Sequence, residues 1–365
     1  MPTVETSHPA EYWHRLEDGR VQCDMCPRSC RLREGQAGLC FVRACHGGTI
    51  TLMTWGRSSG FCVDPIEKKP LFHFLPGTPV LSFGTAGCNL ACRFCQNWDI
   101  SKARQDSVLA DRADPQTIAR AAHDVGCTSV AFTYNDPIVF HEFAVDVARA
   151  CHELGIRTVA VSSGYVNPQP RAEFYGVMDA VNIDLKAFTE RFYHRICSGH
   201  LETVLDTLRY VRHETSVWLE ITTLLIPGEN DSDAEIRRMA GWVLENLGTA
   251  VPMHFTAFHP AWRMSDRPPT PVSTLRRARG IALDAGMRYV YTGNVHDPEG
   301  ESTWCHECGA PLIGRMGYRI TGWNLTEDAA CSGCGAPAAG IFEGGPGDWG
   351  PRFRPMRLAE RQQTV

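Results

Sequence analysis

Between about residue 79 and residue 294, short apolar runs alternate with helical stretches, and no other feature of the chain limits its fold as strongly. Strands are expected over 79–86, 128–134, 157–163, 180–187, 216–226 and 253–259, with a weaker one at 288–292. Helices are expected to begin near Pro115, Pro137, Asp231 and Pro271, where proline at the first turn or an acidic cap gives a start signal. Phe140, Phe143, Ala144, Val147, Cys151 and Leu154 keep the three-and-four rhythm of a buried helix face, and Gly155 follows as a stop. Strands separated by helices at intervals of roughly 25 to 40 residues imply right-handed βαβ units and a parallel sheet. About six or seven such units fit an open or partial barrel and fall short of a closed eight-fold one; in either case ligands gather at the carboxyl ends of the strands.

The flanks have a different texture. Residues 1–75 form a Cys-rich extension with no large apolar core of its own, 76–298 the α/β core, 299–345 a Cys- and Gly-rich module, and 346–365 a tail, loose from Pro351. The 365 residues include 36 Lys and Arg against 41 Asp and Glu, a formal net charge of −5, and 43% are hydrophobic. That share builds a substantial core and excludes disorder throughout, while the weak acidity gives no global reason to bind nucleic acid. No apolar run approaches the roughly 18 residues of a membrane span. His8, Glu11, His14 and Arg15 stand where a secretory signal would be apolar, so a cytoplasmic location without a membrane partner is expected.

In a reducing compartment the 16 cysteines point to metals or redox chemistry rather than disulfides. Three groups stand out: Cys23, Cys26, Cys30 and Cys40; Cys88, Cys92 and Cys95; and Cys305, Cys308, Cys331 and Cys334. Cys45, Cys62, Cys127, Cys151 and Cys197 are scattered, and Cys151 is expected as a small core residue. The middle group follows the first strand directly, in Gly84-Thr85-Ala86-Gly87-Cys88-Asn89-Leu90-Ala91-Cys92-Arg93-Phe94-Cys95. Three thiolates so spaced, with no fourth nearby in the sequence, can hold three corners of an iron–sulfur cube and leave one iron open. Zinc held by three cysteines and a histidine or water is the rival, although the loop has no histidine. The last group is a pair of knuckles, each with a glycine after its second cysteine; zinc is the expected ion and a rubredoxin-like single iron the alternative, in a structural role. The first group fits a second cluster, a zinc, or no metal if Cys45 or Cys62 competes; a Cys-rich segment poor in apolar residues needs some such staple.

Cys88-x3-Cys92-x2-Cys95, with Phe94 before the last cysteine, resembles the cluster motif of radical S-adenosylmethionine (SAM) enzymes. The resemblance implies a partial (β/α)6-type barrel in which a 4Fe-4S cluster on these cysteines chelates SAM. The reduced cluster cleaves SAM to methionine and a 5′-deoxyadenosyl radical that abstracts hydrogen from a substrate, a step that demands a shielded, tightly positioned site. It also implies cofactor contacts from Tyr134, Asn135 and Asp136 at the end of the second strand and from His259 at the sixth, with a satisfied surface or core histidine as the alternative; Ser162 and Ser163 at the third strand's rim read either as cofactor contacts or as an ordinary serine turn. Asp136 reads equally as a helix cap. On the fourth strand, alternation aims Asn182, Asp184 and Lys186 inward, and an inward Asp and Lys require mutual pairing or a charged ligand. Asp184-Leu185-Lys186 resembles the segment that serves the cofactor's methionine end in glycyl-radical-enzyme activases, with a structural ion pair as the alternative. Glu220 and Thr222 share a face that can line the cavity, and parity sets His254 opposite His259.

The order of parts, Cys26-Pro27-x2-Cys30, then Val63-Asp64-Pro65-Ile66-Glu67-Lys68-Lys69-Pro70-Leu71-Phe72-His73, then the loop and the knuckles, resembles the radical enzyme of the AmmeMemoRadiSam system, a relative of pyruvate formate-lyase activase. That likeness implies Memo-like and AMMECR-like protein partners and a flavodoxin- or ferredoxin-type electron donor. The expected activity is hydrogen abstraction from a protein or peptide, as by an activase or maturase. A small-molecule or RNA substrate, or a metal scaffold or electron-transfer protein that makes no radical, are the alternatives.

Overall fold

The computed structural model describes residues 8–103, 109 and 111–358, so the first seven residues of the extension and the last seven of the tail lie outside it. Seven parallel strands run from one edge of a nine-stranded sheet: β1 (Pro79–Phe83), β2 (Ser129–Phe132), β3 (Arg157–Ser162), β4 (Ala180–Asp184), β5 (Trp218–Leu225), β6 (Met253–Ala257) and, at the edge, β7 (Val290–Gly293). They pair in chain order, each with its sequence neighbour, as consecutive βαβ units require. Every expected strand is present, trimmed by a few residues at its ends.

The connections are α1 (Pro115–Asp124), α2 (His141–Glu153), α3 (Pro168–Gly176), α4 (Leu201–Glu214), α5 (Asp233–Leu247) and α6 (Val272–Asp284). Asp114 caps α1 by accepting from Thr117 N–H, and Ser232 caps α5 by accepting from Glu235 N–H. Along α2, Phe143, Ala144, Val147 and Cys151 are buried as their rhythm requires, whereas Leu154 just beyond it is exposed. Of the two helices without a predicted start, α4 has no side-chain cap, and α3 is a nine-residue stretch with two prolines and a weak apolar stripe.

Two short strands extend the sheet antiparallel beyond β1: Phe61–Pro65 pairs with β1, and Arg354–Met356 pairs with Phe61–Pro65. Within the stretch from Pro351, expected to be loose, residues 354–356 are tied to the sheet, and Met356 and Leu358 are buried. The N-terminal extension is also more apolar in function than its composition implies. Its Val21, Met25, Leu32, Val42, Ile50 and Leu52 belong to the same core cluster as the barrel helices.

The inner face of the sheet is closed at its amino end by residues 66–75. Ile66, Leu71, Phe74 and Leu75 pack against Val80, Ala131, Val159 and Ala180 of β1 to β4. Burying a side chain of the size of Leu71 or Phe74 contributes about 2 kcal/mol. A polar layer lies over this floor. Asn182 Nδ2 donates to Pro70 O at 2.7 Å, and Glu220 accepts from Phe72 N–H at 3.0 Å and His73 N–H at 2.8 Å. The C-terminal module backs the same segment from below. Leu75 N–H donates to Ile341 O and Ile341 N–H to His73 O, both at 2.7 Å, while Arg315 Nη2 donates to Phe72 O at 2.6 Å.

Candidate functional site

The three-cysteine loop leaves the carboxyl end of β1 and runs into a one-turn helix, Trp98–Ser101. Gly84 opens it with no room for a side chain: a Cβ would overlap Thr133 O and stand 2.7 Å from Asn135 Oδ1. Gly87 has a left-handed backbone (φ +78°), and a Cβ there would overlap Cys40 O, so strain and space both oppose alanine. Asn135 holds the main chain between them. Its Oδ1 accepts from Thr85 N–H at 2.9 Å, and its Nδ2 donates to Gly87 O at 2.9 Å and Ala86 O at 3.2 Å. Further along, Asn89 Nδ2 donates to Tyr165 O at 2.7 Å and Lys102 Nζ to Leu90 O at 2.5 Å. Ala91 and Arg93 donate their N–H groups to Cys197 O and Ile196 O, both at 2.9 Å.

This last pairing brings Cys197 beside Cys92. Cys197 ends the wide turn Tyr193–Cys197, a π-type geometry that recurs at functional sites. The hydrogen bond from Cys197 brings the Cys92 thiol down to about 7 against the opposing effect of burial, with Lys186 and Lys102 adding to the lowering. Cys88 moves the other way, pushed up to about 12 by burial and the Asp136 charge. Main-chain N–H groups two residues on, those of Leu90 and Asn97, face the Cys88 and Cys95 sulfurs, and Cys95 Sγ lies 3.0 Å from Ser101 Oγ. At Cys88 and Cys95, where burial pushes the thiol up, amide donors and lysines offset part of the cost of the thiolate form that binds iron. A braced loop presenting three such thiols fits three corners of an iron–sulfur cube.

The other candidate side chains divide by location. Lys186 Nζ pairs with Asp184 Oδ2 at 2.7 Å, lies 5.9 Å from the Phe94 ring centre and faces Cys92. Asp136, Ser162 and Ser163 are turned on one another. Asp136 Oδ1 accepts from Ile138 N–H at 3.0 Å and Ser162 Oγ at 3.3 Å, and Oδ2 from Ser163 N–H at 2.9 Å and from the Ser163 hydroxyl. Four donors occupy the lone-pair positions a carboxylate offers, which makes Asp136 a strut between strand ends. Tyr134 donates from its hydroxyl to Asp64 Oδ2 at 3.2 Å, with Lys69 Nζ 5.2 Å above its ring. His259 is exposed, its Nε2 3.5 Å from Asn294 O, whereas His254 is buried on the inner face and pairs with Glu220 Oε2 at 2.7 Å. Asn182 Oδ1 and Thr222 Oγ1 are buried without a hydrogen-bond partner among the described residues, as side chains that await a polar ligand would be.

The two flanking cysteine groups differ in spacing. Cys305 and Cys334 sulfurs stand 3.6 Å apart, those of Cys308 and Cys331 3.8 Å, and all four lie within 4.8 Å of one another. A tetrahedron with metal–sulfur bonds of about 2.3 Å has an edge of about 3.8 Å, so this set could bind a single metal ion. Cys23, Cys26, Cys30 and Cys40 instead line a cavity that Asn89 of the loop also borders.

Fold and loop together define a radical SAM domain: residues 83–240 match the Radical SAM superfamily, and that stretch of the chain is a member of it. Membership implies a 4Fe-4S cluster and SAM as cofactors. The chain is 38% identical over 327 residues to the uncharacterized protein MJ0808 of Methanocaldococcus jannaschii, covering 89% of this chain and 97% of that one. It is 22% identical over 233 residues to the pyruvate formate-lyase 1-activating enzyme of Escherichia coli, covering 59% of this chain and 93% of that one. Among solved structures, a domain of the pyruvate-formate lyase-activating enzyme from Bacteroides vulgatus aligns with a TM-score of 0.40 at 20% identity, over 46% of this chain and 99% of that one. Among the described residues no helix is long and apolar enough to cross a membrane.

Proposed function

We propose that this chain generates a carbon-centred radical from SAM and uses it to abstract hydrogen from a protein or peptide, as an activase or maturase does. The observation that carries the reading is the loop at the carboxyl end of β1, braced by Asn135, Lys102 and the 196–197 main chain around three thiols. When bound, the cluster and SAM would supply the reducing electron and the 5′-deoxyadenosyl radical. The surrounding residues set the conditions for that chemistry. Cys88, Cys92 and Cys95 would hold three irons, while Lys186, paired with Asp184, places a positive charge beside Cys92. The apolar floor of residues 66–75 keeps water from the amino end of the inner space, as a reactive radical requires. Asn182 and Thr222 offer unpartnered polar atoms to a ligand inside it.

A cavity of about 430 Å³ lies along β6 and β7, lined by Glu67, His254, Thr256, Asn294, His296 and Tyr318. It is large enough for a residue side chain of a protein substrate and polar enough to orient one. A protein substrate is further supported by two groups of relatives named as activating enzymes, of pyruvate formate-lyase and of 4-hydroxyphenylacetate decarboxylase. The arrangement of motifs favours Memo-like and AMMECR-like proteins as partners, a flavodoxin- or ferredoxin-type donor, and zinc at the C-terminal knuckle.

The test is anaerobic reconstitution with iron and sulfide, reduction in the presence of SAM, and chromatography for 5′-deoxyadenosine. The native chain should form it and Cys92→Ala should not. Full iron loading without 5′-deoxyadenosine, or native product levels from the Cys92→Ala chain, would overturn the reading. Deuterium passing from a labelled candidate protein into 5′-deoxyadenosine would identify the substrate class.

A further inference from the structure

The N-terminal cysteines are arranged as ligands rather than as core thiols. The hairpin that carries three of them is closed by Cys23 N–H donating to Cys30 O at 3.0 Å and Ser29 N–H to Cys26 O at 3.1 Å, with Ser29 left-handed (φ 43°). Cys40 enters from a second tight turn, in which Phe41 N–H donates to Gly38 O at 2.9 Å. Gly38 leaves room for the Cys30 sulfur, which would lie 3.4 Å from a Cβ at that position. All four sulfurs border one cavity, completed by Arg28, Arg43, Asn89, Ile138 and Val139.

Main-chain amides are aimed at three of the four sulfurs, against the effect of burial, which pushes all three thiols up. The Met25 N–H faces Cys23, the Arg28 N–H faces Cys26, and the Val42 and Arg43 N–H groups face Cys40. The same two-residue offset brings Leu90 to Cys88, Asn97 to Cys95, Glu307 to Cys305 and Ala336 to Cys334. Buried Cys151, a core cysteine by comparison, feels burial alone. A neutral thiol is a weak acceptor, so amide donors placed on three of these four sulfurs gain most when the sulfurs are metal-bound thiolates.

Arg43 adds an independent sign. It is 2% exposed, its Nη1 and Nη2 are engaged by Glu142 and Glu11 O, and its Nε has no hydrogen-bond partner among the described residues other than the Cys23 sulfur within the guanidinium's reach. The guanidinium sits beside the Cys23 and Cys40 sulfurs. An orphaned, buried N–H of this kind is costly unless an anionic group arrives to accept it.

We propose that Cys23, Cys26, Cys30 and Cys40 together bind a second iron–sulfur cluster, packed against the three-cysteine loop. Four cysteines are the complete ligand set of such a cluster, with no iron left open. Spacing separates it from a single-ion site: the knuckle sulfurs converge within 4.8 Å of one another, whereas these ring a cavity. The contact with the loop is direct, through Arg28 Nε to Asn89 O at 3.0 Å and through Gly87 lying on Cys40 O.

The test uses the full chain with Cys88, Cys92 and Cys95 all replaced by alanine, reconstituted anaerobically with ferrous iron and sulfide. Iron and acid-labile sulfide should bind in equal amounts with a visible charge-transfer band that dithionite bleaches, and adding Cys26→Ser and Cys30→Ser should remove both. Iron without sulfide, zinc in its place, or no metal beyond the knuckle ion would overturn the proposal. Should the triple variant fail to fold, the otherwise native chain serves: it should hold about twice the cluster iron and sulfide of its Cys26→Ser/Cys30→Ser variant, and equal contents would overturn the proposal. Cys151→Ser should leave the count unchanged. Because the readout is metal and sulfide rather than 5′-deoxyadenosine, it stands whether or not the chain cleaves SAM.

Discussion

Single side chains do much of the bracing here, and two of them allow firm expectations. Asn135 spans the main chain from Thr85 to Gly87, so Asn135→Ala should loosen the loop without touching a ligand. Removing such an outer support typically costs about tenfold or more in metal affinity or activity. Iron retention after gel filtration and the rate of 5′-deoxyadenosine formation should both fall by about that factor, while circular dichroism stays native. The second is Glu142, where burial raises the carboxyl but Arg43 outweighs it and holds it at about 2. Glu142→Gln leaves Arg43 buried and without its counter-charge, a loss of about 3 kcal/mol read by urea unfolding. A carboxyl whose folded value lies below its ordinary 4.5 stabilises the fold above that value. The contribution fades as pH falls from about 4.5 toward 2, and acid titration of the glutamine variant should lack that part of the decline.

Among the elements, those built from local signals were legible and those built from distant partners were not. The alternation of apolar runs placed all seven parallel strands, and proline or acidic caps placed the starts of α1, α2, α5 and α6. The cysteine loop was readable because its spacing is short. The role of Cys197 was not, since Cys92 meets it only through a turn that lies about a hundred residues further on. Asp136 is the cap that one of its two readings expected, at the head of Pro137–Phe140, but its tie to Ser162 and Ser163 was hidden because they come from another strand. The strand Arg354–Met356 has no alternation to announce it and exists only because Phe61–Pro65 offers an edge. At the C-terminal knuckle, stripping the metal with a chelator or replacing Cys308 with serine should lower the melting temperature, by about 5 °C or more. The absorbance of iron bound at the loop should persist, because the hydrogen bonds that tie the module to the floor run to residues 72–75.

At the scale of the whole molecule, residues 66–75 join the parts. They floor the inner face of the sheet, reach Glu220 through two main-chain N–H groups, and are held from outside by Ile341, Ala339 and Arg315. Hydrogen exchange should therefore quicken at 71–75 when the knuckle metal is removed; a change confined to 303–337 would show that the module does not support the floor. The same arrangement bears on how the protein is made. A segment that precedes every barrel strand is latched by one that follows them all, so a ribosome must deliver Ile341 before the latch can close. Until then the half-made chain carries its first seven clustered cysteines on a sheet whose amino end is not yet backed from outside.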